Sequence, residues 1–126
     1  MAEMEDFDHV LVVEDERPLR QAIIWTLEDE GWSVAGADNG QEAVRAAADQ
    51  RPSLIILDFM LPVMDGHTVS GRVREMYGDS LPILLITADG RASAKAQQVG
   101  AFEFLRKPFE LEALVGAVRR GLSAGA

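Results

Sequence analysis

The chain has 126 residues, 48% of them hydrophobic and 26% charged, with a formal net charge of −9. That size and balance fit one globular domain with a core of its own. They exclude a disordered chain, a collagen and a membrane span, since no apolar run approaches the roughly 20 residues that cross a bilayer. There is no Cys, which excludes disulfides and thiolate metal sites and suits a reducing cytoplasm. The start, Met1 to Asp8, is acidic and lacks the basic and apolar regions of a secretory signal. An acidic surface repels phosphate backbones and anionic lipid, so neither a nucleic-acid partner nor membrane insertion is expected. The pair Arg119-Arg120 reads as a solvated last helical turn.

Short apolar runs alternate with helical patterns along the chain. The first run is Val10 to Val13, followed by Leu19, Ala22, Ile23 and Leu27 at the spacing of one buried helix face. Pro18 suits the first turn of that helix, and Gly31 its end. Trp32 to Gly36 is a weaker strand, and Trp25 and Trp32 are expected to pack the first helix and this strand. Asp38-Asn39-Gly40 has the form of a hairpin turn, but the Ala-rich stretch after it makes a helix start the better reading. Leu54 to Leu57 is the second strong run, with a helix beyond it holding Val69, Val73 and Met76. Ile83 to Leu85 and Ile86 form the third. Arg91 to Val99 is a weak helix with few large apolar anchors, and Phe102 to Leu105 a short strand. Leu111, Leu114, Val115, Val118 and Leu122 mark a final amphipathic helix, after which Ser123 to Ala126 should fray. His9 and His67 lack metal-ligand spacing and are expected at the surface or an edge.

Five strand–helix units, three of them built on runs apolar on both faces, imply a parallel sheet covered by helices on both sides. Ligands of such sheets sit beyond the carboxyl ends of the strands. Glu14 and Asp15 follow the first run, Asp58 the third strand, Thr87 the fourth and Lys107 the fifth. Any one of them could simply cap the next helix. Together they bring three carboxylates, a hydroxyl and an ammonium to one rim. Carboxylates that close push each other toward protonation unless a cation intervenes. An all-oxygen set favours a hard ion, Mg²⁺ with Mn²⁺ as the alternative. Such a site neutralises a phosphoryl group from several sides, and a carboxylate nucleophile at Asp58 would form an acyl phosphate.

These residues carry a resemblance. Val13-Glu14-Asp15-Glu16, the segment Leu57 to Gly66, Leu85-Ile86-Thr87-Ala88, and Gly100-Ala101 followed by Phe104 to Phe109 are similar, in this order, to the motifs of receiver domains of the two-component response-regulator family. The likeness covers residues 8–122, with 1–7 and 123–126 left as flexible termini. It implies a flavodoxin-like (βα)5 fold with a five-stranded parallel sheet. By the same resemblance Asp58 is the phospho-acceptor, and Asp15, Asp58, the Met60 backbone carbonyl and, through water, Glu14 hold Mg²⁺. Thr87 and Lys107 then engage the phosphoryl group, and Phe104 is the switch aromatic. Met60 and Asp89 occupy the two positions that tune phosphoryl lifetime, and apolar Met60 suggests slow self-hydrolysis.

The implied partners are a sensor histidine kinase or histidine phosphotransfer protein, and a downstream protein or second copy reached through the fourth helix, fifth strand and fifth helix. The chain would catalyse only its own phosphorylation and dephosphorylation. A stand-alone receiver is expected rather than one cut from a longer protein. Two rivals are a phosphorylation-independent interaction module and a Mg²⁺-dependent aspartyl phosphohydrolase. The second needs an acid two residues after the nucleophile, where Met60 stands.

Overall fold

The structure, a computed structural model, describes residues 8–124. Of the expected flexible termini, residues 1–7 and 125–126 lie outside the described residues. Strands β1 (His9–Val13), β2 (Ser33–Ala37), β3 (Leu54–Asp58), β4 (Ile83–Thr87) and β5 (Glu103–Arg106) alternate with helices α1 (Arg17–Asp29), α2 (Gly40–Asp49), α3 (Gly66–Tyr77), α4 (Ala92–Val99) and α5 (Leu111–Ala124). The strands form one sheet in the order β2-β1-β3-β4-β5. All four pairings are parallel. This is the expected doubly wound arrangement, and it puts β3 at the centre with every carboxyl end on one rim.

The side chains of β1, β3 and β4 alternate between two cores, as the two-residue period of a strand requires. Leu11, Val13, Ile55, Leu57, Ile83 and Leu85 face α2, α3 and α4. Val10, Val12, Leu54, Ile56, Leu84 and Ile86 face α1 and α5, against Ile23, Leu27, Leu114 and Val118. All five residues of each of these three strands are buried. Truncating one of the central ones, Ile56→Ala, would cost about 2–5 kcal/mol, so the rim stands on a stiff platform.

Loop chemistry fixes where α2 and α3 begin. Asn39 Oδ1 accepts from Glu42 N at 2.9 Å, so Asp38-Asn39-Gly40 starts α2 and makes no hairpin. Asp65 caps α3 in the same way, through Thr68 N at 2.9 Å. A Cβ on Gly66 would stand 3.0 Å from Phe59 Cα, which explains how closely α3 abuts the loop after β3. The other end of α3 is tied to α4. Arg74 donates to the carbonyls of Asp79 (2.8 Å) and Leu81 (3.4 Å) with one nitrogen, and to Val99 (3.2 Å) and Gly100 (2.9 Å) with the other. Gly100, left-handed at φ 68°, turns the chain out of α4 beneath that guanidinium.

Several expectations need correction. Trp25 does not pack on β2; it projects from α1 and is 65% exposed, whereas half-buried Trp32 does pack, under the Arg119 guanidinium. His9 is buried, not a surface residue, because it is the first residue of an internal strand and its ring bonds to Ser33 Oγ at 2.9 Å. Met76 lies at the edge of the α3 stripe and is half exposed, while Tyr77 reaches the core and donates to the Ala47 carbonyl at 2.5 Å. Ser123 and Ala124 belong to α5, so the helix continues past the expected boundary at 122. Arg119 and Arg120 are exposed but paired, with Glu30 and Glu103. Among the described residues no helix is long and apolar enough to cross a membrane.

Candidate functional site

The carboxyl rim collects its side chains by simple continuation of the strands. The Glu14 amide donates to the Ala37 carbonyl at 3.0 Å, extending the β1–β2 ladder by one residue and drawing the Glu14 side chain inward. Arg20 then fixes the Glu14 carbonyl at 2.8 Å. The result is a fully buried carboxylate, while Asp15, one residue on, is exposed. Asp58 is the last residue of β3 and Thr87 the last of β4, and both are buried. The Lys107 amide donates to the Thr87 carbonyl at 2.9 Å, so the lysine is anchored to the end of β4. The Lys107–Pro108 peptide bond that follows is cis.

Three of the expected residues meet directly. Lys107 Nζ lies 2.8 Å from Glu14 Oε1, 3.2 Å from Asp58 Oδ2 and 3.8 Å from Glu16 Oε1. Asp58 Oδ1 accepts from the Met60 amide at 3.1 Å. One carboxylate oxygen from each of Glu14, Asp15 and Asp58 falls within 4.8 Å of the others. Glu14 Oε1 is the exception to full satisfaction. It contacts the ammonium but makes no directed hydrogen bond among the described residues.

Electrostatics follow from this crowding. Burial pushes Glu14 up from an ordinary 4.5 to about 7, against the pull of Lys107, and the nearby Asp58 charge adds to the rise. Burial also raises Asp58, again opposed by Lys107 and by the Met60 amide. For Lys107, burial alone would lower the pKa, but contact with Glu14 and the charges of Asp58 and Glu14 outweigh it and raise it. Three acids share one close ammonium, so the rim is short of positive charge. A hard divalent cation fits that deficit.

The remaining expected residues take other places. The Thr87 hydroxyl accepts from the Asp89 amide at 3.1 Å, so it is occupied within its own turn. Phe104 is half-buried and packs on the core face beneath α4. Met60 is 60% exposed, so its side chain is not a packed lid over the site. Asp89 is held below the usual carboxylate range by the Arg91 amide, 2.7 Å from Oδ1. Sequence reasoning missed the bridge from Lys107 to Glu14 and the Met60 amide on Asp58. Strand-end logic lists the residues that gather but not which of them touch.

The family model for the response regulator receiver domain matches residues 10–119. The chain belongs to that family. Response regulator MprA of Mycolicibacterium vanbaalenii is 39% identical over 112 residues, which cover 87% of this chain and 48% of that protein. The receiver domain described here thus spans about half the length of the curated relatives it matches. Among solved structures, chemotaxis protein CheY4 of Vibrio cholerae is 35% identical with a TM-score of 0.85, covering 92% of this chain and 99% of that one. A putative response regulator from Chloroflexus aurantiacus is also 35% identical, with a TM-score of 0.84 over 94% of this chain and 99% of that one. A CheY-like receiver domain protein from Methanospirillum hungatei, 20% identical, shares the fold with a TM-score of 0.88 over 95% of this chain and 97% of that one.

Proposed function

We propose that this receiver domain takes a phosphoryl group onto Asp58 from a phosphohistidine of a sensor histidine kinase or a histidine phosphotransfer protein in the cytoplasm. The observation that carries the reading is a buried Asp58 at the end of the central strand, 3.2 Å from Lys107 Nζ and beside two further carboxylates. Asp15, Asp58, the Met60 carbonyl and, through water, Glu14 would hold Mg²⁺ (or Mn²⁺), which supplies charge neutralisation for the incoming phosphoryl oxygens.

The work of the chain's own residues is concrete. Burial raises the pKa of Asp58 and the Lys107 ammonium opposes that rise, favouring the ionised carboxylate that is the nucleophile. The Met60 amide fixes the orientation of that carboxylate. A carboxylate oxygen bonds to phosphorus as the nitrogen–phosphorus bond of the donor breaks, and the imidazole leaves with the bonding pair and takes up a proton. The new group adds roughly −1.5 to −2 charges. Lys107 pairs with one of its oxygens and the Thr87 hydroxyl donates to another. Phe104 turns into the space that Thr87 leaves, and the surface of α4, β5 and α5 changes for a downstream protein or a second copy.

The test is incubation with acetyl phosphate and Mg²⁺, followed by intact-protein mass. One phosphoryl adduct is expected, abolished in Asp58→Asn. No adduct, with partner binding intact, would instead favour an interaction module; continued turnover of a phosphate monoester would favour a phosphohydrolase.

A further inference from the structure

The first turns of α4 carry contacts that the mechanism above leaves unused. Lys95 Nζ stands 4.5 Å from the centroid of the Phe59 ring and 3.7 Å from Asp89 Oδ2. Phe59 is the residue after Asp58. Asp89 is two residues beyond Thr87, and its amide is the donor to the Thr87 hydroxyl. A surface lysine ordinarily extends into water; this one is only 18% exposed because it lies across the ring. Beneath it, α4 is anchored by Ala92, Ala96 and Val99. Ala92 and Ala96 offer little apolar area to hold the leading half of the helix, so the lysine contacts are a large share of what fixes it.

We infer that Lys95 is a positioning residue that sets the resting state of the switch. It joins the loop after β3 to the turn after β4, and so holds the Asp89 amide on the Thr87 hydroxyl. On this reading Thr87 closes on a phosphorylated Asp58 by shifting this turn or leaving it, and either strains the Asp89–Lys95–Phe59 contact. This rests on Asp58 being the acceptor. A contact of this kind weighs about 2–5-fold in a two-state equilibrium, and loss of both arms about 3–10-fold. Removing it from the resting state raises the population that a phosphoryl mimic selects.

The experiment titrates the full chain with beryllofluoride in Mg²⁺ and follows backbone amide shifts by NMR. Lys95→Gln should bind about 3–10-fold more tightly than wild type, while Lys95→Arg, which keeps the cation, should stay within about twofold. Phe59→Leu, which removes the ring and keeps an apolar side chain, should tighten binding about 2–5-fold. Amide exchange in residues 89–96 of unliganded Lys95→Gln should rise while β1 and β3 keep their protection, a pattern that general destabilisation would not give. A wild type that binds joined with a Lys95→Gln that binds no tighter overturns the inference alone. A wild type that does not bind beryllofluoride brings down the acceptor reading and the inference with it.

Discussion

The two rims of the sheet both bury polar groups, and they settle them differently. At the amino rim His9 is buried and its ring pairs with Ser33 Oγ at 2.9 Å. Its backbone exchanges two bonds with Ser53, amide to Oγ at 3.0 Å and carbonyl to amide at 2.7 Å. That network is satisfied by neutral partners, and burial keeps the imidazole neutral by lowering its pKa. At the carboxyl rim Glu14, Asp58 and Lys107 are charges crowded together, and one carboxylate oxygen is left without a directed partner. A satisfied neutral network holds a strand end in place. An under-satisfied charged one stores an affinity for whatever completes it.

The largest expected effect separates the rims completely. Asp58→Asn should abolish the acetyl phosphate adduct by mass, and Ser33→Ala should leave it at the wild-type level; loss of labelling in both would erase the contrast. Next is pH. Between about 4.5 and 7 the folded protein holds a proton on Glu14 that the unfolded chain has released, so stability falls as pH rises across that window. The effect is up to about 3 kcal/mol. The raised Asp58 acts in the same direction.

The lowered pKa of His9 has the opposite sign. Below an ordinary 6.5 the unfolded chain binds a proton that the folded one resists, so this contribution falls as pH falls. The two contributions overlap below about 6.5 and partly cancel, so urea unfolding of metal-free protein against pH separates them only through variants. Glu14→Gln should remove the first and His9→Gln the second; a curve unchanged by Glu14→Gln would mean that the carboxyl rim stores nothing.

Smaller effects sharpen the comparison. Met60→Asn places an amide able to orient water beside the acceptor and should shorten the adduct half-life by up to about tenfold, followed by mass over time. Ser33→Ala removes the partner of the His9 ring and should cost about 1 kcal/mol by urea unfolding at pH 7.

The fold was legible because each strong run is buried on both faces, a pattern that few arrangements other than a covered parallel sheet produce. Asn39 illustrates a local ambiguity that neighbouring residues resolved, since the Ala-rich stretch after it favours the helix that it caps. Trp25 was legible too, had the stripe been followed strictly. It sits two residues from Ile23, about 200° around the helix from the buried face. The site's membership followed from strand ends, but its contacts did not. Whether Lys107 reaches Glu14, or Lys95 lies on Phe59 and not in water, depends on the lengths of long side chains across segments distant in sequence. His9 was misread because a polar residue at the start of an apolar run looks exposed until its hydrogen-bond partners, on two other segments, are known.

Arg74 holds the Val99 and Gly100 carbonyls at one end of α4 and leaves the other end to lighter contacts. A helix of eight residues is about 12 Å long. With its far end clamped, any tilt would pivot there: a rotation of about 10° would leave Gly100 where it is and carry the leading turn about 2 Å. A spectroscopic label near residue 92 would register several times the displacement seen by one at residue 98, and the pivot would be invisible to both.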